Sequence, residues 1–175
     1  MNLVGAQGTG KTTILNKLEK FEKITEVVRK LSKSGIKINE YGDDEGQRCI
    51  FNTYNEIFDR LDNRKNWVSD RGLFDVFAYT KYLYNHGKVS EDLYNEQYNR
   101  LINWSLTNKD VVIAYFPIEF DVVNDGVRSL DESFRKEIDE NIKWILNECN
   151  VKYYVIEGSI EERLELINAI IEFNK

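Results

Sequence analysis

Gly5-Ala6-Gln7-Gly8-Thr9-Gly10-Lys11-Thr12 lies near the start of the chain and fits G-x-x-x-x-G-K-[ST], the P-loop, without a mismatch. One task explains its residue types. Glycines admit backbone angles that a Cβ would forbid, so successive N–H groups can turn inward around phosphate oxygens. Lys11 brings a compact positive charge to the β- and γ-phosphates, and the Thr12 hydroxyl is a ligand for Mg²⁺. A helix beginning near Gly10 adds its positive N-terminal end. The flanks agree: Asn2-Leu3-Val4 reads as a short buried strand and Thr13 to Leu18 as helix. Gly5, Gln7, Gly8, Thr9, Gly10, Lys11, Thr12 and Thr13 are therefore the predicted contacts of a nucleoside triphosphate with Mg²⁺.

Working outward, the rest of the chain alternates strands with helices. Phe21 to Thr25 reads as a second strand ending at Glu26, and Val27 to Leu31 as a short helix that stops at Gly35. Gly35 to Gly46 is polar and turn-rich, and is expected to be mobile. Ile50, Phe51, Tyr54, Ile57, Phe58 and Leu61 share one helical face, and Asn63 to Asn66 reads as a turn. Trp67-Val68-Ser69 forms a strand that delivers Asp70-Arg71-Gly72, followed by helices over 73–84 and 90–106. Val111 to Phe116 is an unbroken apolar run of the kind found in parallel sheets. A loop from Pro117 to Ser129 follows, then a helix with Phe134, Ile138, Ile142, Ile145, Leu146 and Cys149 on one stripe. Val151 to Ile156 is the last strand, and Ser159 with Glu162 makes a capping box for a terminal helix.

This alternation predicts an α/β fold with a parallel sheet covered on both faces, and ligands beyond the carboxyl ends of the strands. The rule selects Gly5 to Thr12, Glu26, Asp70-Arg71, the loop around Asp125 to Arg128, and Gly158-Ser159. Length and composition suit one globular domain over 1–175: 175 residues, 42% hydrophobic and 31% charged. The formal net charge of −6 disfavours a long nucleic-acid backbone as partner. No apolar run approaches membrane-spanning length, and the chain begins with the P-loop strand rather than a leader, which points to the cytoplasm. The first strand is short, so it is either clipped or begins upstream of Met1. Cys49 and Cys149 lie in helical apolar patterns and read as small core residues.

Three classes of P-loop protein compete. A switch GTPase needs D-x-x-G after a strand, whereas Asp43-Asp44-Glu45-Gly46 sits between a turn and a helix. Its guanine-reading N-K-x-D is also missing, since Asn108-Lys109-Asp110 has the wrong spacing. An AAA-type ATPase needs an apolar strand ending in Asp-Glu and an added helical domain. A small-molecule kinase needs an acceptor-side base, a Mg²⁺-side acid and arginines for the transferred phosphoryl. The strand ends offer these. Glu26 is the candidate base, or a first-turn helix acid favoured by the dipole. Asp70 would hold Mg²⁺ or orient the acceptor, and Arg71 would grip a phosphate. Arg128 sits in a loop long enough to close over the nucleotide as a lid near 117–130. Arg135 and Lys136 read as a solvated face before Arg135 reads as part of the lid one turn past the loop, and His86 reads as part of a turn. Tyr41, Tyr54, Tyr79, Tyr82 and Trp67 read as core before they read as a base clamp.

Glu26-Val27-Val28-Arg29, Gln47 to Phe51, Asp70 to Asp75 with Tyr79, Asp125-Gly126-Val127-Arg128-Ser129 and Glu162-Arg163 together carry a resemblance. The chain resembles the P-loop kinase and ATPase family typified by ribosylnicotinamide kinase, whose broader relatives are the deoxynucleoside and thymidylate kinases. Many of that family's members are phage-encoded. The resemblance implies a three-layer α/β/α sandwich with a five-stranded parallel sheet in the order 2-3-1-4-5, and ATP–Mg²⁺ phosphotransfer to a nucleoside or nucleoside monophosphate. By position, Glu26 and Asp70 become acceptor-side acids, Arg29 and Arg71 substrate-side cations, and Arg128 the lid arginine. A modified nucleotide within DNA as acceptor, a regulatory ATPase without an acceptor, and a homodimer all stay open.

Overall fold

Val4 and Leu3 point to opposite sides of the same short strand, and that alternation divides the interior in two. A computed structural model describes residues 1–61, 67–121 and 129–174. In chain order they form β1 (Asn2–Val4), α1 (Lys11–Lys17), β2 (Glu22–Ile24), α2 (Val27–Lys33), a 3₁₀ turn (Asn39–Tyr41) and α3 (Asp44–Leu61). Next come β3 (Trp67–Asp70), α4 (Leu73–Asn85), α5 (Glu91–Thr107), β4 (Ile113–Tyr115), α6 (Glu132–Glu148), β5 (Tyr153–Val155) and α7 (Ile160–Phe173). The five strands pair in the order β2-β3-β1-β4-β5, all parallel. β1 is central, with Leu3 beside Asp70 on β3 and Ala114 on β4. The α/β fold and strand order expected from the sequence are those observed.

One face of the sheet packs Leu3, Val68 and Ala114 against Ile14 and Leu15 of α1 and Ile167 and Ile170 of α7. The opposite face packs Val4, Trp67, Ile113 and Tyr115 against the larger group formed by α3, α4, α5 and α6. There Phe58 sits between Trp67 and Trp104 at ring-centroid distances of 5.6 and 5.7 Å. Tyr54, Tyr79, Tyr82 and Trp67 are buried as expected of core aromatics, while Tyr41 is exposed. No helix among the described residues is long and apolar enough to cross a membrane.

Several boundaries depart from the sequence reading. The P-loop helix begins at Lys11 with Gly10 as its N-cap, as expected, and ends at Lys17. The apolar runs 111–116 and 151–156 are each assigned as strand over three residues only, although the Phe116 N–H still donates to the Val4 carbonyl and the Ile156 N–H to the Tyr115 carbonyl, both at 2.8 Å. Asp44 to Gly46, expected in a turn-rich segment, opens α3. That segment is fastened from outside, since Lys88 donates to the Glu40 carbonyl at 2.6 Å and the Ser129 hydroxyl donates to the Glu40 carboxylate at 2.9 Å. Cys49 and Cys149 are free and half-buried, and Cys149 packs against the larger core while Cys49 does not belong to it. Cys49 lies one residue off the buried stripe of α3, and Cys149 is the C-cap of α6. His86 caps the end of α4 and stacks on Tyr82. The expected turn at 63–66 and the loop residues 122–128 lie outside the described residues.

α6 starts where Asp131 accepts N–H bonds from Ser133 at 2.8 Å and Phe134 at 3.1 Å. The Ser133 hydroxyl and the Phe134 N–H hold the Asp131 carboxyl below its ordinary value. A depressed folded-state pKa supplies stability that is present above the unfolded value and lost as pH falls through the folded one. Asp131→Ala is therefore expected to be less stable than the parent by a constant margin from pH 7 to about pH 5, narrowing below about pH 4. Urea unfolding across that range measures the margin.

Candidate active site

A loop that turns its N–H groups toward a central anion turns its carbonyls outward, and when those are buried they need donors. Here each one from Gly5 to Thr9 has a side-chain partner. The Lys11 amine donates to the Gly5 and Ala6 carbonyls at 2.8 and 2.7 Å. Arg135 donates through Nε to Gln7 at 2.9 Å and through Nη2 to Gly8 at 3.4 Å. Arg163 donates through Nη1 to Thr9 at 2.7 Å. Two of the loop's glycines are obligatory. Gly10 has φ 87°, and a Cβ there would meet Arg163 at 2.9 Å. A Cβ on Gly5 would lie 2.5 Å from the Phe116 carbonyl.

Arg135 is thus not on a solvated face; it is 1% exposed. The first turn of α6 lies over the loop and delivers the guanidinium to Gln7 and Gly8, whose carbonyls have no backbone strand to pair with. Arg163, 2% exposed, also donates to the Gly158 carbonyl at 2.9 Å and is ion-paired with Glu119. The sequence carried a signal for both. Arg135 precedes Ile138 and Ile142 by one and two turns, and Arg163 precedes Ile167 and Ile170 likewise, so each lies on the buried side of its helix.

Asp75 is a further residue for which the sequence reading assigned no role. Its two carboxylate oxygens accept the Gly5 N–H at 2.9 Å and the Gly72 N–H at 2.8 Å, and it is fully buried. Burial pushes the carboxyl above its ordinary value, opposed by Lys11, Arg71 and the two N–H bonds. The legible clue was its place three residues into α4, where an acid closes back on the helix cap.

The strand ends gather the other predicted residues. β3 ends at Asp70, whose carboxylate accepts a short hydrogen bond from the Thr12 hydroxyl. Arg71 follows with φ 95°, a conformation costly for a residue with a Cβ. Its N–H donates to the Leu3 carbonyl at 3.1 Å, and its own carbonyl accepts from the Ser69 hydroxyl at 2.6 Å. Its guanidinium carbon lies 5.1 Å from the centre of the Tyr79 ring. Burial works against the Arg71 charge, but Tyr79, Asp75, Tyr54 and Asp70 around it keep its pKa above the ordinary value. Glu26 also has positive φ, 62°, and pairs with Arg29 at 2.8 Å. Arg128 lies outside the described residues.

Two cavities meet here. The larger, about 560 Å³, runs along Gln7 to Ile14 and reaches Phe120, Ser159 and Arg163. The smaller, about 90 Å³, is walled by Glu26, Val28, Arg29, Asn39 and Tyr54. Gln7, Thr12, Asp70 and Arg71 line both. The structure therefore brings Lys11, Thr12, Asp70, Arg71, Glu26 and Arg29 to one place.

A family model described as an AAA domain matches residues 1–163. No curated protein matches the sequence. Among solved structures, the NadR protein in complex with NR aligns with TM-score 0.76 and 18% identity over 99% of this chain, which spans only 50% of that one. Deoxyadenosine kinase from M. mycoides, with products dCMP and dCDP bound, aligns with TM-score 0.67 and 16% identity over 98% of both chains. YorR protein from Bacillus subtilis, in complex with phosphorylated GDP, gives TM-score 0.62 and 16% identity over 98% of this chain and 95% of that one. At such identities the likeness is one of fold.

Asp75→Asn replaces an oxygen that accepts an N–H with an amide that donates, so the Gly5 or Gly72 N–H is left facing another donor. The variant is expected to lose about 1–3 kcal/mol of stability in urea unfolding. Restoring an acceptor pair with Asp75→Glu should recover less than the full loss, because the longer arm overshoots a site with no spare space.

Proposed function

Starting from a chain that belongs to this AAA domain family, we propose that it is an ATP-dependent phosphotransferase, acting as one domain over residues 1–175, that moves the γ-phosphoryl group to a nucleoside monophosphate or a nucleoside. The observation that carries this reading is the shared wall between the two cavities. Hydrolysis requires a nucleotide site alone, whereas transfer requires a second opening onto the same phosphoryl group. The solved structures of like fold, named for NR, dCMP and GDP complexes, lend the class of acceptor.

The residues fit ATP with Mg²⁺. The larger cavity is of ordinary size for a nucleotide-sized ligand. Lys11 and the loop from Gly5 to Thr13 would cradle the phosphates, and the Thr12 hydroxyl beside Asp70 would hold the metal. Among the described residues no group of three or more His, Cys, Asp or Glu could hold a metal. An Mg²⁺ ion held there beside Thr12 and Asp70 would supply charge neutralisation for the phosphoryl group.

In this reading the chain contributes positioning and charge rather than covalent chemistry. Glu26 accepts or orients the acceptor's proton, Arg29 and Arg71 hold the acceptor's phosphate, and Arg128 closes on the transferred group. Arg29, Arg71 and Arg128 would together supply more cations than the transferred group alone requires, even with Arg29 paired to Glu26, which favours a monophosphate over a nucleoside. The family description favours a second reading, a regulatory ATPase without a small-molecule acceptor. Against it, β3 ends in Asp70-Arg71 rather than Asp-Glu.

Incubation with γ-labelled ATP and Mg²⁺, offering pooled nucleosides, nucleoside monophosphates and short DNA, separates the readings. Label is expected on one monomeric acceptor and absent with Lys11→Ala. Slow phosphate release with every acceptor unlabelled would select the regulatory ATPase. Arg128→Ala is expected to lower kcat about 10³-fold with ATP binding less affected; equal activity of the two proteins would remove Arg128 from the site.

A further inference from the structure

Gln7 carries an amide nitrogen with nothing to donate to. The side chain is 2% exposed, and Nε2 is buried without a hydrogen-bond partner among the described residues. Native structures seldom keep a buried amide in that state without a use. Its orientation is set from the other end. The Tyr79 hydroxyl donates to Oε1 at 2.9 Å, which leaves the nitrogen as the end directed elsewhere. Tyr79 is itself buried, its ring faced by the Arg71 guanidinium on one side and set edge-on to Phe134 at 5.7 Å. The carboxamide is thus held by a rigid aromatic support on α4, not left to rotate.

Gln7 also stands where the two cavities meet, together with Thr12, Asp70 and Arg71. Arg71 lines both cavities and Lys11 the larger one, so two cations stand at that boundary, with the Asp70 carboxylate beside Arg71. A buried N–H donor beside two cations matches an anionic oxygen better than any neutral group. We propose that the Gln7 side-chain amide is a hydrogen-bond donor to a phosphoryl oxygen at the boundary between the two cavities, with Tyr79 as its positioning residue. This rests on the phosphotransfer reading for its role in rate, but not for its binding. The oxygen can belong to the terminal phosphate of the donor or to the phosphate of the acceptor. The role differs from that of the loop backbone, which serves any P-loop, because it depends on a side chain that the motif leaves free to vary.

The side-chain amide signals of ¹⁵N-glutamine-labelled protein give a direct test. Gln47 and Gln97 serve as internal controls, since their amides are buried in a separate network: Gln97 Nε2 donates to the Gln47 carbonyl at 3.1 Å, and Thr80 donates to Gln97 Oε1 at 2.7 Å. The Gln7 signal, identified by its loss in Gln7→Leu, is expected to move downfield on addition of Mg–AMP-PNP, of a nucleoside monophosphate, or of both, while the controls stay in place. A shift with the first ligand alone assigns the donor's oxygen, and a shift with the second alone assigns the acceptor's. An unmoved Gln7 signal up to millimolar concentrations of both overturns the proposal.

Kinetics supply a second arm. Gln7→Glu keeps the bond from Tyr79 but cannot donate, and is expected to lower phosphoryl transfer about 10- to 100-fold or more. Tyr79→Phe, which loosens the amide without removing it, is expected to lower kcat by a smaller factor with KM for ATP little changed. Full transfer by Gln7→Glu overturns the proposal even if the parent is an active kinase. If the parent transfers no label to any acceptor, the phosphotransfer reading fails, and the amide signals still decide this one.

Discussion

Five consecutive carbonyls, four of them buried and that of Gly8 part-buried, govern this structure. Once the P-loop faces its N–H groups inward, the oxygens of Gly5 to Thr9 point into protein, and no strand or helix lies there to bond them. Lys11, Arg135 and Arg163 provide the donors, from the loop's own helix, from α6 and from α7. The two arginines come from opposite layers: Arg135 sits over the α4 side, and Arg163 belongs with α7 on the α1 side. The loop is therefore clamped between both faces of the sheet, and the placement of two distant helices follows from the needs of one short turn. Lys11 has a double place in this scheme, since the amine that now holds two carbonyls is also the charge that a phosphate would draw.

The second constraint is the common polarity of the strands. Because all five run parallel, their carboxyl ends open on one edge, and the residues after β1, β2 and β3 converge there without any contact between them in sequence. Glu26 and Arg71, each with a Cβ and each at positive φ, both stand at that edge and both wall the smaller cavity. Backbone strain of this kind persists where surrounding bonds over-determine it. At Arg71 those bonds are visible, one from its N–H to β1 and one to its carbonyl from Ser69. The proposed site and the strained backbone coincide at the place where strands must stop and side chains must turn.

Local patterns revealed much of this. The motif from Gly5 to Thr12, the buried run around Ile113 and the Ser159 and Glu162 capping pair are each read within a few residues, since glycine spacing, apolar continuity and cap chemistry are short-range. The strand-end rule then brought Glu26, Asp70 and Arg71 to one edge. Arg135 was misplaced on a solvated face because its type outweighed its periodicity: an arginine suggests solvent, but its spacing to Ile138 and Ile142 marks the buried side. The role of Asp75 is not legible in its motif, as its partner Gly5 lies far off in sequence and only packing of α4 beneath the loop joins them.

What the sequence by itself determined, then, is the class of site: a phosphate-binding loop on a parallel sheet, with an acid and cations after the strands. These follow from the bonding and steric properties of neighbouring residues, which do not depend on the rest of the chain. Only the tertiary structure decided which side chains hold the loop, that Tyr79 orients Gln7, and that two cavities share one wall. Those are relations between groups brought together by packing, where burial turns an ordinary carbonyl or amide into one that must find a partner.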